Sequence, residues 1–190
     1  MSGFKKVLFL FLALLLPVAV FVFLKLFGRN QFEVQPLFQD GVESSTLCKS
    51  YTYNTPYTIP DSMLAKLEWN GNDSITLIIF DDKDQDNRIK KHSQIERITE
   101  EFKSEKLKVL CLVDSGQSQW LNNVRERLKI LELSDEVLVA TKNCVFLVKE
   151  SDNAVIIDSK KRIRGQYNLH DLEDADRLFV HELNILFKRY

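Results

Sequence analysis

The chain has 190 residues, with 26 Lys+Arg against 27 Asp+Glu and 45% hydrophobic residues. That is enough for one domain with a substantial core, and the near-neutral balance gives no general pull towards nucleic acid. Three cysteines are too few for a disulfide scaffold and form no CxxC pair, and the composition excludes collagen, long disorder and a polytopic membrane protein. The charge is nevertheless divided. Residues 1–31 hold four Lys/Arg and no acid, so the other 159 residues carry 22 Lys/Arg against 27 Asp/Glu, a net of −5.

Val7 to Leu24 is an uncharged run flanked by Lys5 and Lys6 before it and by Lys25 and Arg29 after it. As a helix it spans roughly 27 Å, close to the ~30 Å hydrocarbon core of a bilayer. It shows no polar face, and Pro17 in its middle predicts a kink. A cleaved signal peptide is the competing reading, but no A-x-A-like site follows Leu24. Residues 1–30 therefore read as a retained single-pass anchor in an inner membrane, oriented N-inside, with residues 31–190 in the periplasm.

From Gln31 to Glu68 the chain reads as irregular, with Pro36, Pro56 and Pro60 and an edge strand near Thr52–Tyr57. After the turn Asn70-Gly71-Asn72-Asp73, the apolar run Ile75–Phe80 predicts a strand buried on both faces. A charged stretch, Asp81 to Lys91, leads into Ile95, Ile98 and Phe102, one face of a helix ending near Lys103. Leu107–Val113 predicts a second buried strand. Trp120, Val124, Leu128 and Leu131 then predict a second amphipathic helix. Strands at Cys144–Lys149 and Ala154–Ile157, joined by the turn Glu150–Asn153, and a closing helix through Leu172, Ala175, Phe179, Leu183 and Leu186 complete the chain. The order βαβα followed by ββα predicts an α/β domain of thioredoxin-like type, a mixed sheet with helices on both faces behind one transmembrane helix. A flavodoxin-like sheet would need further βα units in place of the hairpin.

The segment from Ala154 to Tyr167, with Asp158, Ile163, Arg164, Gly165 and Tyr167, followed by Asp176, Arg177 and Leu178, resembles the end of the Sco/SenC family. That resemblance implies a thioredoxin-like fold outside the cytoplasm and copper handling in cytochrome oxidase assembly, through a CxxxC motif and a distant histidine. The chain departs from the pattern at the site itself. The CxxxC spacing would fall near Asp84 and Arg88, and the histidine position falls at Glu150-Ser151-Asp152. Copper(I) selects thiolates and disulfide exchange requires them, so the resemblance implies the family's architecture without its copper site.

Asp82, Asp84 and Asp86 match three positions of a calcium loop, but Asn87 and Ser93 stand where glycine and a bidentate glutamate are needed. Acids opening a helix, favourable to its dipole, are the simpler reading. Cys111 and Cys144 read as small core residues of strands, and Cys48 as the more exposed thiol, with a disulfide open to it in an oxidising compartment. His170 reads as a neighbour of the cap Asp171, His181 as mid-helix and His92 as surface; no pair has metal-ligand spacing. The turn Lys160-Lys161-Arg162 reads as solvated.

No catalytic, cofactor-binding or metal-ligating residue and no cofactor is assigned on this basis. The expectation is a non-enzymatic, membrane-anchored accessory or assembly factor for a membrane complex of the respiratory oxidase type. Its partners would be the membrane and a membrane-protein complex, with no nucleic acid and no small-molecule substrate. The alternative is a residual copper-binding or thiol-redox protein using Cys48 or recruited histidines.

Overall fold

The computed structural model describes residues 11, 13–23, 34–43, 48–69, 75–103 and 106–187. The chain separates into two compact units, Met1–Glu33 and Val34–Tyr190. In the first, residues 13–23 form an exposed apolar helix. Among the described residues no helix is long and apolar enough to cross a membrane, and the expected Val7–Leu24 span lies partly outside them.

The second unit is built on a five-stranded sheet of order β3-β2-β1-β4-β5, with β1 Ile75–Phe80, β2 Leu107–Asp114, β3 Lys129–Leu133, β4 Ala154–Asp158 and β5 Ile163–Tyr167. β1 pairs parallel with β2 (Ile78 opposite Leu110) and antiparallel with β4 (Ile78 opposite Val155). β3 adds a parallel edge beside β2, and β4 and β5 form the antiparallel hairpin. The helices are α1 Asp61–Lys66, α2 Gln85–Glu101, α3 Asp135–Ala140, α4 Leu172–Asp176 and α5 Leu183–Leu186; a π-helical stretch, Arg177–Glu182, runs between the last two. This is the mixed α/β sheet with helices on both faces that was expected, but with an additional strand, β3, and a hairpin made of β4 and β5.

Alternation along the strands sorts side chains to two cores. Ile75, Leu77, Ile79, Val109, Cys111 and Ile156 face Ile95, Ile98 and Phe102 of α2 and the C-terminal helices. Ile78, Phe80, Leu110, Leu112 and Val155 face Leu64 of α1, Leu138 of α3 and the lead segment through Tyr57 and Ile59. All six residues of β1 are buried, as its continuous apolar run requires.

Four local expectations are corrected. Residues 118–127 form a 3₁₀ helix, Ser118–Arg127, and Leu131 belongs to β3. Val124 is buried as expected, but the apolar period runs on through Leu128 into Leu131 of the edge strand and so imitates a longer helix. Cys144 does not begin a strand: Thr141–Val145 is a π-helical turn continuing α3. Thr52–Tyr57 is irregular. The turn of the hairpin is therefore the one after Asp158, with Lys161 at φ 63°.

That hairpin explains the segment that carries the family resemblance. The buried Asp158 carboxylate accepts from the Lys160 and Arg162 amides at 2.9 and 3.0 Å and from the Arg162 and Arg164 guanidinium groups at 2.8 and 3.2 Å. Gly165 lies under the Tyr167 ring, where an added Cβ would stand 2.0 Å from the phenolic oxygen. Tyr167 in turn bonds Glu182 and lies under the Arg177 guanidinium, 4.9 Å from its ring centre. We expect Gly165→Ala to lower unfolding stability by about 2–3 kcal/mol, as overpacking does. Gly165→Ala with Tyr167→Phe should lose less than the two changes summed, because the nearest clashing atom, the hydroxyl, is gone while the ring carbon 2.6 Å away remains. Urea unfolding followed by circular dichroism measures both.

Candidate functional site

The chain leaves β1 at Phe80 and crosses the loop Asp81–Asp84 to reach α2. Asp84 caps that helix, accepting from the Asp86 and Asn87 amides at 2.8 and 3.1 Å. This is the acids-at-a-helix-start arrangement read from sequence. Asp81, only 3% exposed in its side chain, takes a bidentate pair of bonds from Arg88 at 2.7 and 3.0 Å. The positions where a CxxxC motif would fall thus contribute a cap (Asp84) and an ion pair (Arg88).

Behind the loop lies Lys91, fully buried, whose ammonium donates to the Phe80 carbonyl at 2.6 Å. Burial lowers its pKa from 10.5 to about 8, against the opposing pull of Asp82 and Asp81. Cys111, beside it on β2, is buried as expected; burial pushes its thiol up to about 12, so it is inert at neutral pH.

Three further segments converge on Asp82. His170, on the turn after β5, stands 3.4 Å from its carboxylate. Lys142, on the π-helical turn, and Lys91 act on it electrostatically. Burial works to raise the Asp82 pKa, but the Asp84 amide and then Lys91, His170 and Lys142 outweigh it, leaving the carboxyl below the usual range. His170 is depressed, first by burial and then by Lys91; Lys142 is depressed by burial against Asp82, Asp152 and Glu150. Asn153 ties the group together. Its carbonyl accepts from Phe80 N–H at 2.8 Å, its side-chain oxygen accepts from Leu169 N–H at 3.0 Å, and its amide nitrogen lies 3.1 and 3.3 Å from the His170 ring nitrogens. A cavity of about 530 Å³ opens between α2 and the 3₁₀ helix, lined in part by Arg88, His92, Gln117 and Trp120.

The thiols lie to one side of this cluster. Cys48 and Cys144 form a disulfide with Cα atoms 5.4 Å apart, and each residue is 4% exposed. It staples the lead segment to the π-helical turn that carries Lys142. Tyr53 and Tyr57 donate to the carbonyls of Cys144 and Val145 at 3.1 and 2.6 Å, reinforcing the same junction. The expectations of Cys144 as an unpaired core residue and Cys48 as an exposed thiol are therefore corrected.

Of the sequence candidates, Asp82 and His170 are brought together, while His92 lies on the α2 side of the cavity and His181 on the π-helical stretch after α4. Asp171 caps α4, accepting from the Glu173 amide, so His170 is the cap neighbour it was read to be. Among the described residues no group of three or more His, Cys, Asp or Glu is arranged to hold a metal ion. Lys91 escaped the sequence reading although its signal was present: it precedes Ile95, Ile98 and Phe102 by 4, 7 and 11 positions, on the buried face of the helix.

No family model and no curated protein sequence matches the chain. Solved structures similar to it include a peroxidoxin, BcpB, of Mycobacterium tuberculosis (14% identity, TM-score 0.48, covering 70% of this chain and 93% of that one). They also include a Sco1/SenC family lipoprotein of Bacillus anthracis (9%, 0.45, 64% and 84%). BsSco, a member of the Sco family of cytochrome c oxidase assembly proteins, is a third (12%, 0.44, 82% and 94%). These likenesses are of fold, at low identity. The expectation that it is not an enzyme is corrected by the Cys48–Cys144 disulfide, a thiol pair of the kind that redox chemistry uses.

Two outcomes follow. Under denaturing conditions thiol titration should count one free cysteine before reduction and three after, and Cys144→Ser should cost about 2–5 kcal/mol of stability in urea unfolding, given the long loop the bond closes. Lys91 binds its proton less tightly folded than unfolded, so its burial penalty is relieved as pH rises from about 8 to about 10.5. The wild-type chain should gain on the order of 3 kcal/mol relative to Lys91→Met across that window, measured by urea unfolding at each pH.

Proposed function

We propose that this protein is a membrane-tethered, periplasm-facing factor that serves a membrane-protein complex of the respiratory oxidase type. The observation that carries this reading is the Cys48–Cys144 disulfide, since such bonds form and persist in oxidising compartments. The basic, apolar N-terminus and the net −5 of the remainder agree with an anchor and an exported domain. The oxidase class comes from the likeness of Ala154–Tyr167 to the Sco/SenC ending. A tether raises the local concentration of the domain beside membrane partners, so a small contact surface suffices. The polar cluster of Asp82, Lys142 and His170 at the carboxyl end of β1 supplies that surface.

The disulfide also favours a second reading, thiol–disulfide exchange with a partner dithiol. A partner thiolate would attack one sulfur of Cys48–Cys144 and its second thiol would resolve the mixed disulfide, leaving two cysteine thiols here and a disulfide on the partner. Low exposure of both sulfurs means that the Cys48 segment must lift for the attack to occur.

Purification of the tagged full chain from gently solubilised membranes should recover integral-membrane subunits alongside it; recovery alone would overturn the assembly reading. A reporter that matures only in the periplasm should be active when fused after Tyr190. For the second reading, a dithiol should reduce the native chain at neutral pH, and a Cys48→Ser chain should fail to oxidise that dithiol.

A further inference from the structure

Charge is divided along the strand axis of the domain. At the carboxyl ends of β1 and β5 the chain is acidic: residues 81–86 hold four aspartates and one lysine, and residues 171–174 hold three acids and no base. The opposite end is basic. Residues 103–108, which lead into β2, hold three lysines and one glutamate, and residues 158–164, which turn from β4 into β5, hold four Lys/Arg and one aspartate. Lys161 pairs there with Asp61 and Lys129 with Glu68, so α1 lies along this same end between its two flanking acids. Lys66 of that helix, Lys103, Lys106 and Lys160 are exposed. The lead segment also enters the domain here: the Leu37 amide donates to the Ile163 carbonyl at 2.8 Å and the Ile59 amide to the Lys161 carbonyl at 3.0 Å. Leu37 keeps 37% of its surface exposed beside the basic turn. It follows residue 30, the end of the proposed anchor, by seven positions, a reach of at most about 25 Å.

We propose that this basic end is a docking surface for anionic lipid headgroups, which turns the acidic end, with Asp82, away from the bilayer. The inference rests on the tethered reading above and adds to it the orientation of the domain. Each Lys or Arg gains attraction within a Debye length of an anionic surface, roughly 8–10 Å at physiological salt, while acids are repelled there. A domain polarised along one axis therefore has one favoured face. A tether that joins the domain at that face keeps the lysines close to the bilayer, so weak individual contacts add up to a stable orientation. An acidic protein face offers the same sign of charge, but it gives no reason for the cations to gather where the tether enters.

The test uses the full chain with its disulfide intact, reconstituted into phosphatidylcholine vesicles with or without phosphatidylglycerol, each holding a trace of lipid with a nitroxide on its headgroup. A fluorophore is placed at Ser159→Cys, exposed beside Lys160, or at Gln119→Cys, exposed near the start of the 3₁₀ helix at the other end. With phosphatidylglycerol the Ser159 label should be quenched several-fold more than the Gln119 label. That contrast should vanish in about 1 M salt, where the Debye length is about 3 Å, and in a chain carrying Lys66→Glu with Lys160→Glu. Equal quenching of the two labels, or a Ser159 signal indifferent to phosphatidylglycerol or to the charge reversal, would overturn the proposal; indifference to the lipid would leave an acidic protein face as the partner. Vesicle flotation separates this result from the reading beneath it. A chain washed off by salt overturns the tether and the docking with it, whereas one that stays bound with an unquenched Ser159 label overturns the docking alone.

Discussion

The central strand β1 is covered on both faces before the chain leaves it, and this one constraint organises the polar groups at its carboxyl end. A loop emerging from such a strand cannot rely on bulk water to satisfy its backbone and carboxylates. Each group must find a protein partner, and each does: the Phe80 carbonyl takes Lys91, the Phe80 amide bonds Asn153, and Asp81 takes Arg88. The same closeness that makes the network stable makes its charges interdependent, since interactions in a low-dielectric setting are strong and poorly screened. That is why a lysine, a histidine and a carboxylate drawn from three separate segments share one electrostatic fate.

The residues that carry the family resemblance do something different. Asp158 gathers two amides and two guanidinium groups to close the β4–β5 turn, and Gly165 leaves the space that Tyr167 fills. These are requirements of a hairpin packed under a C-terminal helix, and they hold whether or not thiols stand at the other end of the sheet. A sequence can therefore keep this ending while the loop after β1 is rebuilt from Asp81, Asp84 and Arg88. The likeness of the ending speaks for architecture and for the setting in which such a fold works; whether thiol or copper chemistry is kept has to be read from the loop.

Three of the five strands, β1, β2 and β4, are legible because they obey simple rules, whereas β3 was read as helix and β5 was not read as a strand. Ile75–Phe80 and Leu107–Val113 are continuous apolar runs that only a doubly covered strand explains, and Ile95, Ile98 and Phe102 mark a helix face unambiguously. The segment from Trp120 to Val148 was not legible, because a 3₁₀ helix, an edge strand and a π-helical turn each present apolar residues at spacings that imitate ordinary elements. The candidate site was half legible. Asp84 as a helix cap and His170 beside Asp171 follow from local sequence. The approach of His170 to Asp82 joins positions far apart in the chain, and nothing in the spacing marks it. Lys91 is the instructive miss, since a cation in phase with a buried stripe is itself a signal.

The disulfide joins these two levels. Sequence separation of 96 residues means that the bond removes much freedom from the unfolded chain, yet in the folded state it is not the sole tie at that junction. The Tyr53 and Tyr57 hydroxyls hold the consecutive carbonyls of Cys144 and Val145, and Tyr57 is itself buried in the core beneath α1 and α3. Breaking the sulfur bond therefore costs stability without necessarily freeing the turn. If thiol exchange governs this protein, its effect must pass through the short stretch between Cys48 and Tyr53, which is held by the disulfide, the Tyr51 N–H bond to the Cys48 carbonyl and the packing of Tyr51 on the core. The π-helical turn and its Lys142 would then stay beside Asp82 through either redox state, held by the two tyrosine hydroxyls.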